Sequence, residues 1–156
     1  MITITWEAAG IPLEEMVAAT SAFLDCLGKH LKASGHERSW IWVHENGPQI
    51  GGHCHILAHV PSELVKKLTR LQTRWIKQIT NRPYAAKTIK SVPIGGRLGL
   101  ETSNPHLHEV NFDEAVDYLL KGAESDVRAA FGIRRSQPGG LIIGKRCGAS
   151  NNLLGG

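Results

Sequence analysis

Two histidines stand two residues apart in His53-Cys54-His55, and Glu45 lies eight residues before the first of them. On a β-strand, side chains two apart share a face at roughly 6.6 Å along the strand, so both imidazoles can converge on one ion. Glu45 closes the first arm of a hairpin that His53 reopens, and it is the expected third donor. Two imidazoles and a carboxylate suit manganese or magnesium, and zinc can bind as well. His44 would point to the face opposite its neighbour Glu45, so one of the two can serve, and Glu45 is the residue expected to do so. His59 shares the face but lies roughly 13 Å beyond His55, too far to join the same ion. Its expected job is packing or a hydrogen bond.

Further along, Tyr118 and Lys121 stand three apart in a stretch with helical signals. That spacing places phenol and ammonium on one side of a helix, one turn from each other. A cation there favours the phenolate and can meet a phosphate. Tyr84-Ala85-Ala86-Lys87 repeats the lettering. It follows Pro83 and precedes a strand-like stretch, where residues three apart face opposite ways, so Tyr118 is the better nucleophile. Two other patterns are set aside. His106-Leu107-His108 lies in a Pro-containing loop ten residues before Tyr118, leaving no room for intervening elements. Gly139 to Lys145 fits G-x-x-x-x-G-K, yet Arg146 replaces the Ser or Thr that would hold magnesium and only ten residues follow it.

Glu45, the pair His53 and His55, a basic helix after them, and Tyr118-x-x-Lys121 together resemble the HUH endonucleases, in particular the rolling-circle replication initiators with a single tyrosine. The resemblance runs from about Trp40 to Gly122. It implies an ion held by Glu45, His53 and His55, attack by Tyr118 on single-stranded DNA, a covalent 5′-phosphotyrosine with a free 3′-OH, and resealing without ATP. Lys121 would stabilise the phenolate or the transition state. Cys54 departs from the bulky aliphatic residue usual between the two histidines, although cysteine packs as a small hydrophobe. Two other readings stay open: a non-catalytic module binding single-stranded nucleic acid, with structural histidines, and a metal-dependent phosphodiesterase that activates water.

The elements needed to position these residues are legible. Ile2 to Trp6 alternates apolar and polar types, a short strand. Behind Pro12, apolar residues recur at three- and four-residue steps to about Ala33, an amphipathic helix stopped by Gly35. Ser39–His44 and His53–Val60 flank a turn rich in Asn, Gly and Pro, a hairpin. After Ser62, Val65, Leu68, Leu71, Trp75 and Ile79 form one helical face and Lys66, Arg70, Arg74 and Lys77 lie off it. Lys87–Ile94 reads as a strand, Gly95–His108 as a long loop, and 112–121 as a short helix capped by Asn111. The order β-α-β-β-α-β-α predicts an α+β fold, a central antiparallel sheet with flanking helices. It occupies residues 1–131, followed by a basic, glycine-rich and loosely ordered tail over 132–156. Ending in Leu154-Gly155-Gly156 without a capping element, the sequence is compatible with a longer parent chain.

Charge points the same way. The 156 residues carry 18 basic and 14 acidic side chains, a net +4 that is unevenly spread. Pro61 to Arg97 holds Lys66, Lys67, Arg70, Arg74, Lys77, Arg82, Lys87, Lys90 and Arg97 against the single acid Glu63. Arg128, Arg134, Arg135, Lys145 and Arg146 form a second stretch with no acid after Arg128. Such clusters are a footprint for a polyanion, which the resemblance implies is single-stranded DNA, including an origin hairpin. The expected phosphate contacts are Lys66, Arg70, Arg74, Lys77, Lys87, Lys90, Arg134, Arg135, Lys145 and Arg146. Three scattered cysteines argue against a disulfide framework or a cysteine zinc site. No apolar run approaches the roughly 18–20 residues of a membrane span, and the first ten residues lack a signal-peptide pattern, so an intracellular protein is expected.

Overall fold

Alternation in Ile2-Thr3-Ile4-Thr5 sends both isoleucines inward and leaves both threonines half-exposed, and this decides which way the sheet faces. A computed structural model gives the structure of residues 1–153. Its five strands are β1 (Ile2–Thr5), β2 (Trp40–Gly47), β3 (Gly51–Ala58), β4 (Ile89–Ser91) and β5 (Cys147–Ala149). They form one antiparallel sheet in the spatial order β4-β1-β3-β2-β5. The helices are α1 (Met16–Ala33), α2 (Ser62–Thr80), α3 (Leu100–Ser103), α4 (Pro105–Leu119) and α5 (Ser125–Ala130). The α+β class expected from the sequence, an antiparallel sheet with flanking helices, is what forms.

One face of the sheet is covered by α1 and α2. Ile2, Ile4, Trp42, Cys54 and Ile56 meet Met16, Phe23, Leu27 and Leu31 of α1 and Leu68, Trp75 and Ile76 of α2 in a single core. Phe23 and Trp75 lock the two helices edge to face, with ring centres 5.7 Å apart. Each large side chain buried there stabilises the fold by roughly 1.5–3 kcal/mol. The core also encloses a polar chain. The Trp6 indole N–H donates to Thr20 Oγ1 at 2.8 Å, the Thr20 hydroxyl meets His44 Nε2 at 2.8 Å, and His44 Nδ1 meets the Lys145 carbonyl at 2.9 Å. Because a carbonyl can only accept, the His44 proton sits on Nδ1, and every nitrogen of the ring is engaged.

The hairpin turn between β2 and β3 rests on Gly51, whose φ of +63° belongs to the left-handed region. A Cβ there would lie 1.4 Å from Glu7 Oε2, the same carboxylate that accepts the Gly52 N–H at 3.2 Å. Glycine is required on both counts.

Three stretches differ from the sequence expectation. Gly95–His108 is not a long loop. It contains a 3-10 turn at Ile94–Gly96, then α3, then the first turn of α4. Asn104 caps α4, accepting the Leu107 N–H at 3.1 Å, with Pro105 in the first turn. Asn111, the expected cap, lies inside the helix and donates to the Leu107 carbonyl at 2.6 Å. Secondly, α4 stops at Leu119, so Lys121 stands in the turn beyond it. Thirdly, the described part of the tail includes a strand, β5, and a 3-10 turn at Asn151–Leu153, while the expectation for 154–156 lies outside the described residues. Asn46 N–H donates to the Gly139 carbonyl and His44 N–H to the Arg146 carbonyl, and β5 then adds to the edge of β2. Cys-Gly-Ala carries no alternating pattern, and its strand exists because β2 offers unpaired backbone groups. Among the described residues no helix is long and apolar enough to cross a membrane.

Candidate active site

The face of the sheet turned away from α1 and α2 carries the polar residues. In the β2–β3 register Glu45 stands directly opposite His53, and Val43 opposite His55. In the β1–β3 register Thr3 stands opposite His55. Period-two alternation then puts Thr3, Glu45, His53 and His55 on one face and sends His44 and Cys54 to the other. Glu45, His53 and His55 each offer one ligand atom, and the three atoms lie within 4.8 Å of one another. All three residues are buried. This cluster can hold a metal ion.

Each imidazole is held by a partner on its far nitrogen, which is how metal-binding histidines are normally oriented. His53 Nδ1 donates to the Gly51 carbonyl at 2.8 Å, which leaves Nε2 facing Glu45 Oε2 at 3.4 Å. Doubly protonated, that ring donates to the carboxylate. Protonated on Nδ1 alone, it turns a lone pair toward an anion, and a cation between them would convert repulsion into coordination. His55 Nδ1 lies 2.9 Å from Thr3 Oγ1. Burial pushes His55 down to about 4, with the neighbouring His53 and Lys121 acting in the same direction, so its ring is neutral at pH 7. In the tautomer that donates from Nδ1 to Thr3, Nε2 is an acceptor.

That acceptor meets Tyr118. The phenol hydroxyl lies 3.3 Å from His55 Nε2, and the two rings pack edge to face with centres 5.1 Å apart. Lys121 is buried beside them. Its ammonium stands 3.9 Å above the Tyr118 ring and is ion-paired with Glu45 Oε1. Burial works to raise the Glu45 carboxyl, but the hydrogen bonds from His53 and Lys121 and the Lys121 charge override it and hold it down at about 2. Tyr118 is raised, by burial first and by the Glu45 charge second, while Arg135 pulls the other way. The phenol is therefore un-ionised in this arrangement, one hydrogen bond from a metal-ligand atom.

The structure separates the two Y-x-x-K sequences. Tyr84 packs against the helix-covered core, its hydroxyl accepting the Ile89 N–H at 3.4 Å, and Lys87 stands in a left-handed turn at φ +68°. His106 and His108 lie in the first turn of α4, outside the metal-binding cluster.

The expected phosphate contacts divide by location. Lys66, Arg70, Arg74 and Lys77 are exposed on α2, which packs on the opposite face of the sheet from the cluster. Lys90 lies opposite Thr3, exposed on the cluster's own face, two strand spacings or roughly 9.6 Å from His55. Lys87 is exposed in the turn before β4. Arg134 and Arg135 are not free cations. Arg134 pairs with Glu114 at 2.5 Å, and Arg135 pairs with Glu114 at 3.1 Å and with the buried Asp117 at 3.0 Å. Lys145 lies 5.9 Å from the Trp42 ring, and Arg146 donates to the Gly140 carbonyl at 2.7 Å.

Sequence reasoning missed three partners. Thr3 was readable as the outward face of a strand, but its neighbour strand was not. The Gly51 carbonyl carries no side-chain signal. Arg135 lies 5.8 Å from the Tyr118 ring because Asp117, one residue before the tyrosine, anchors it. The acid–tyrosine pairing was the signal available. No family model, curated protein or solved structure matches the chain.

Proposed function

We propose that this protein is a metal-dependent, site-specific endonuclease and strand transferase of single-stranded DNA, of the HUH type with one nucleophilic tyrosine, suited to initiating rolling-circle replication. The observation that carries this reading is the Tyr118 hydroxyl, 3.3 Å from the His55 nitrogen that faces the Glu45 and His53 donors. A nucleophile and a Lewis-acid site so close would meet on one phosphate.

A divalent ion, manganese or magnesium, held by Glu45, His53 and His55 would supply Lewis-acid stabilisation of the charge gathering on the scissile phosphate. Tyr118 attacks that phosphorus in line. The phenol oxygen forms the new P–O bond and loses its proton to solvent. The bond to the 3′ oxygen breaks, and that oxygen takes up a proton to leave as a 3′-OH. The link is a phosphodiester before and after, so a 3′-OH can reverse the step without ATP. Lys121 and Arg135 flank the phenol and favour the anionic form through which it reacts. Lys90, on the same face, is placed to meet a backbone phosphate of the strand.

Incubation with labelled single-stranded oligonucleotides and manganese, followed by a denaturing gel, tests the reading. A protein–DNA adduct is expected, absent in Tyr118→Phe and retained in Tyr84→Phe. Cleavage that survives Tyr118→Phe would instead make water the nucleophile, and salt-sensitive binding without cleavage would leave a binding module.

A further inference from the structure

Every ligand arm of the cluster is already engaged by the chain itself. Glu45 Oε1 is taken by the Lys121 ammonium, Glu45 Oε2 faces His53, and His55 Nε2 receives the Tyr118 hydroxyl. Both outside partners come from one short segment, the end of α4 and the turn after it. Lys121 is 4% exposed in its side chain, so it is not a surface charge that drifted onto a carboxylate. It is the buried cation that neutralises Glu45 where a metal ion would otherwise do so.

We propose that Lys121 competes with the divalent ion for Glu45, so that metal binding is an exchange that frees Lys121 and Tyr118 together. The inference rests on the reading of the cluster as a metal site. A doubly charged ion on Glu45, His53 and His55 would stand within a few ångströms of the ammonium, with a single carboxylate to compensate three positive charges. Repulsion between like charges at such range in a buried site is severe. The ammonium must retreat, and it already stands 3.9 Å from the centre of the Tyr118 ring, so the nearest new partner is the phenol or a phosphate beside it. The ion likewise takes the His55 nitrogen from the Tyr118 hydroxyl, releasing the nucleophile from the hydrogen bond that holds its proton. The exchange thus couples metal occupancy to a nucleophile that is unhindered and has a cation beside it. The opposite role, a lysine that holds the carboxylate in place for the ion, predicts the opposite sign.

Lys121→Met keeps the length of the side chain and removes its charge. Manganese affinity, read by calorimetry without DNA, is expected to be at least tenfold tighter in Lys121→Met than in the parent, and unchanged within about threefold in Lys121→Arg. Manganese should also raise the melting temperature of Lys121→Met more than that of the parent, a readout that holds even where the variant is less stable without the ion. Equal or weaker affinity in Lys121→Met would overturn the exchange while leaving the metal site intact. Failure of both proteins to bind manganese would overturn the metal site itself.

Discussion

The two faces of the sheet hold histidines of equal burial and opposite fate. On the face under α1, His44 has both ring nitrogens saturated by Thr20 and the Lys145 carbonyl, and it is surrounded by the apolar core. On the other face, His53 and His55 each have one nitrogen fixed, by Gly51 and Thr3, and the other turned into a shared space, where it meets Glu45 and Tyr118 respectively. The same side chain is a structural brace in one place and a ligand in the other. What differs is not burial, residue type or the number of partners but their kind: His44 faces a carbonyl and a lone hydroxyl, whereas His53 and His55 turn their second nitrogens toward a carboxylate and a phenol beside a shared space. An imidazole with no second ligand beside it cannot share an ion, whereas one oriented on its far nitrogen and turned toward a carboxylate can exchange its near partner for a cation.

The sharpest way to break this contrast is to truncate one histidine from each face. His55→Ala is expected to lower metal-dependent cleavage by on the order of 100-fold or more, while low-salt retention of DNA stays within a few fold. His44→Ala should destabilise the fold by about 2–4 kcal/mol, because the Lys145 carbonyl and the Thr20 hydroxyl proton lose their partner and the core loses the ring's packing. Manganese bound per folded molecule should be unchanged. Denaturant unfolding and calorimetry on both variants decide it, and equal loss of stability in both would erase the distinction between brace and ligand.

A smaller effect compares the cations on the two faces. Lys90→Ala should weaken single-stranded DNA binding several-fold and lower the salt slope by about 0.7, the loss of one phosphate contact. Lys66→Ala, on the far side of the sheet, should change neither beyond a factor of about two. The reverse outcome would route the DNA over α2.

The smallest effect concerns how α4 is anchored. Burial pushes Asp117 up, but the Arg134 and Arg135 backbone amides and guanidinium charges more than offset it, so its carboxyl is held below its ordinary 3.8. A carboxyl depressed in the folded chain adds stability that is present above the unfolded value and is lost as pH falls through the folded one. Asp117→Asn should therefore flatten the acid limb of a stability curve measured from about pH 4 downward. An unchanged limb would mean that the Arg134–Arg135 segment is not held by this acid.

Much of this architecture was legible in the chain. The alternation of β1 and the 3.6-residue period of α1 and α2 report which side of each element is apolar, and that alone builds the helix-covered face. The spacing of His53 and His55 and the hairpin turn brought Glu45 opposite His53. Other parts were hidden. Asn104-Pro105 was masked by a later Asn-x-x-Glu that reads equally well as a cap. The strand Cys147–Ala149 has no pattern of its own and is created by the edge of β2. The basic face of α2 was legible as charge, but the side of the sheet it packs on was not, because that depends on contacts distant in the chain.

Residue type and local period by themselves settled that an antiparallel sheet would form, that His53 and His55 would share a face, and that Tyr118 would lie on a helix. The last two are short-range consequences of backbone geometry, fixed within one or two turns or strand steps, and the first follows from a tight hairpin turn. That the tyrosine reaches His55 across 63 residues of chain, and that Lys121 is committed to Glu45 across 76, was decided only when α4 packed on the polar face. Contacts so distant in the chain leave no periodic trace in it, because they depend on which face of the sheet remains open after α1 and α2 have covered the other.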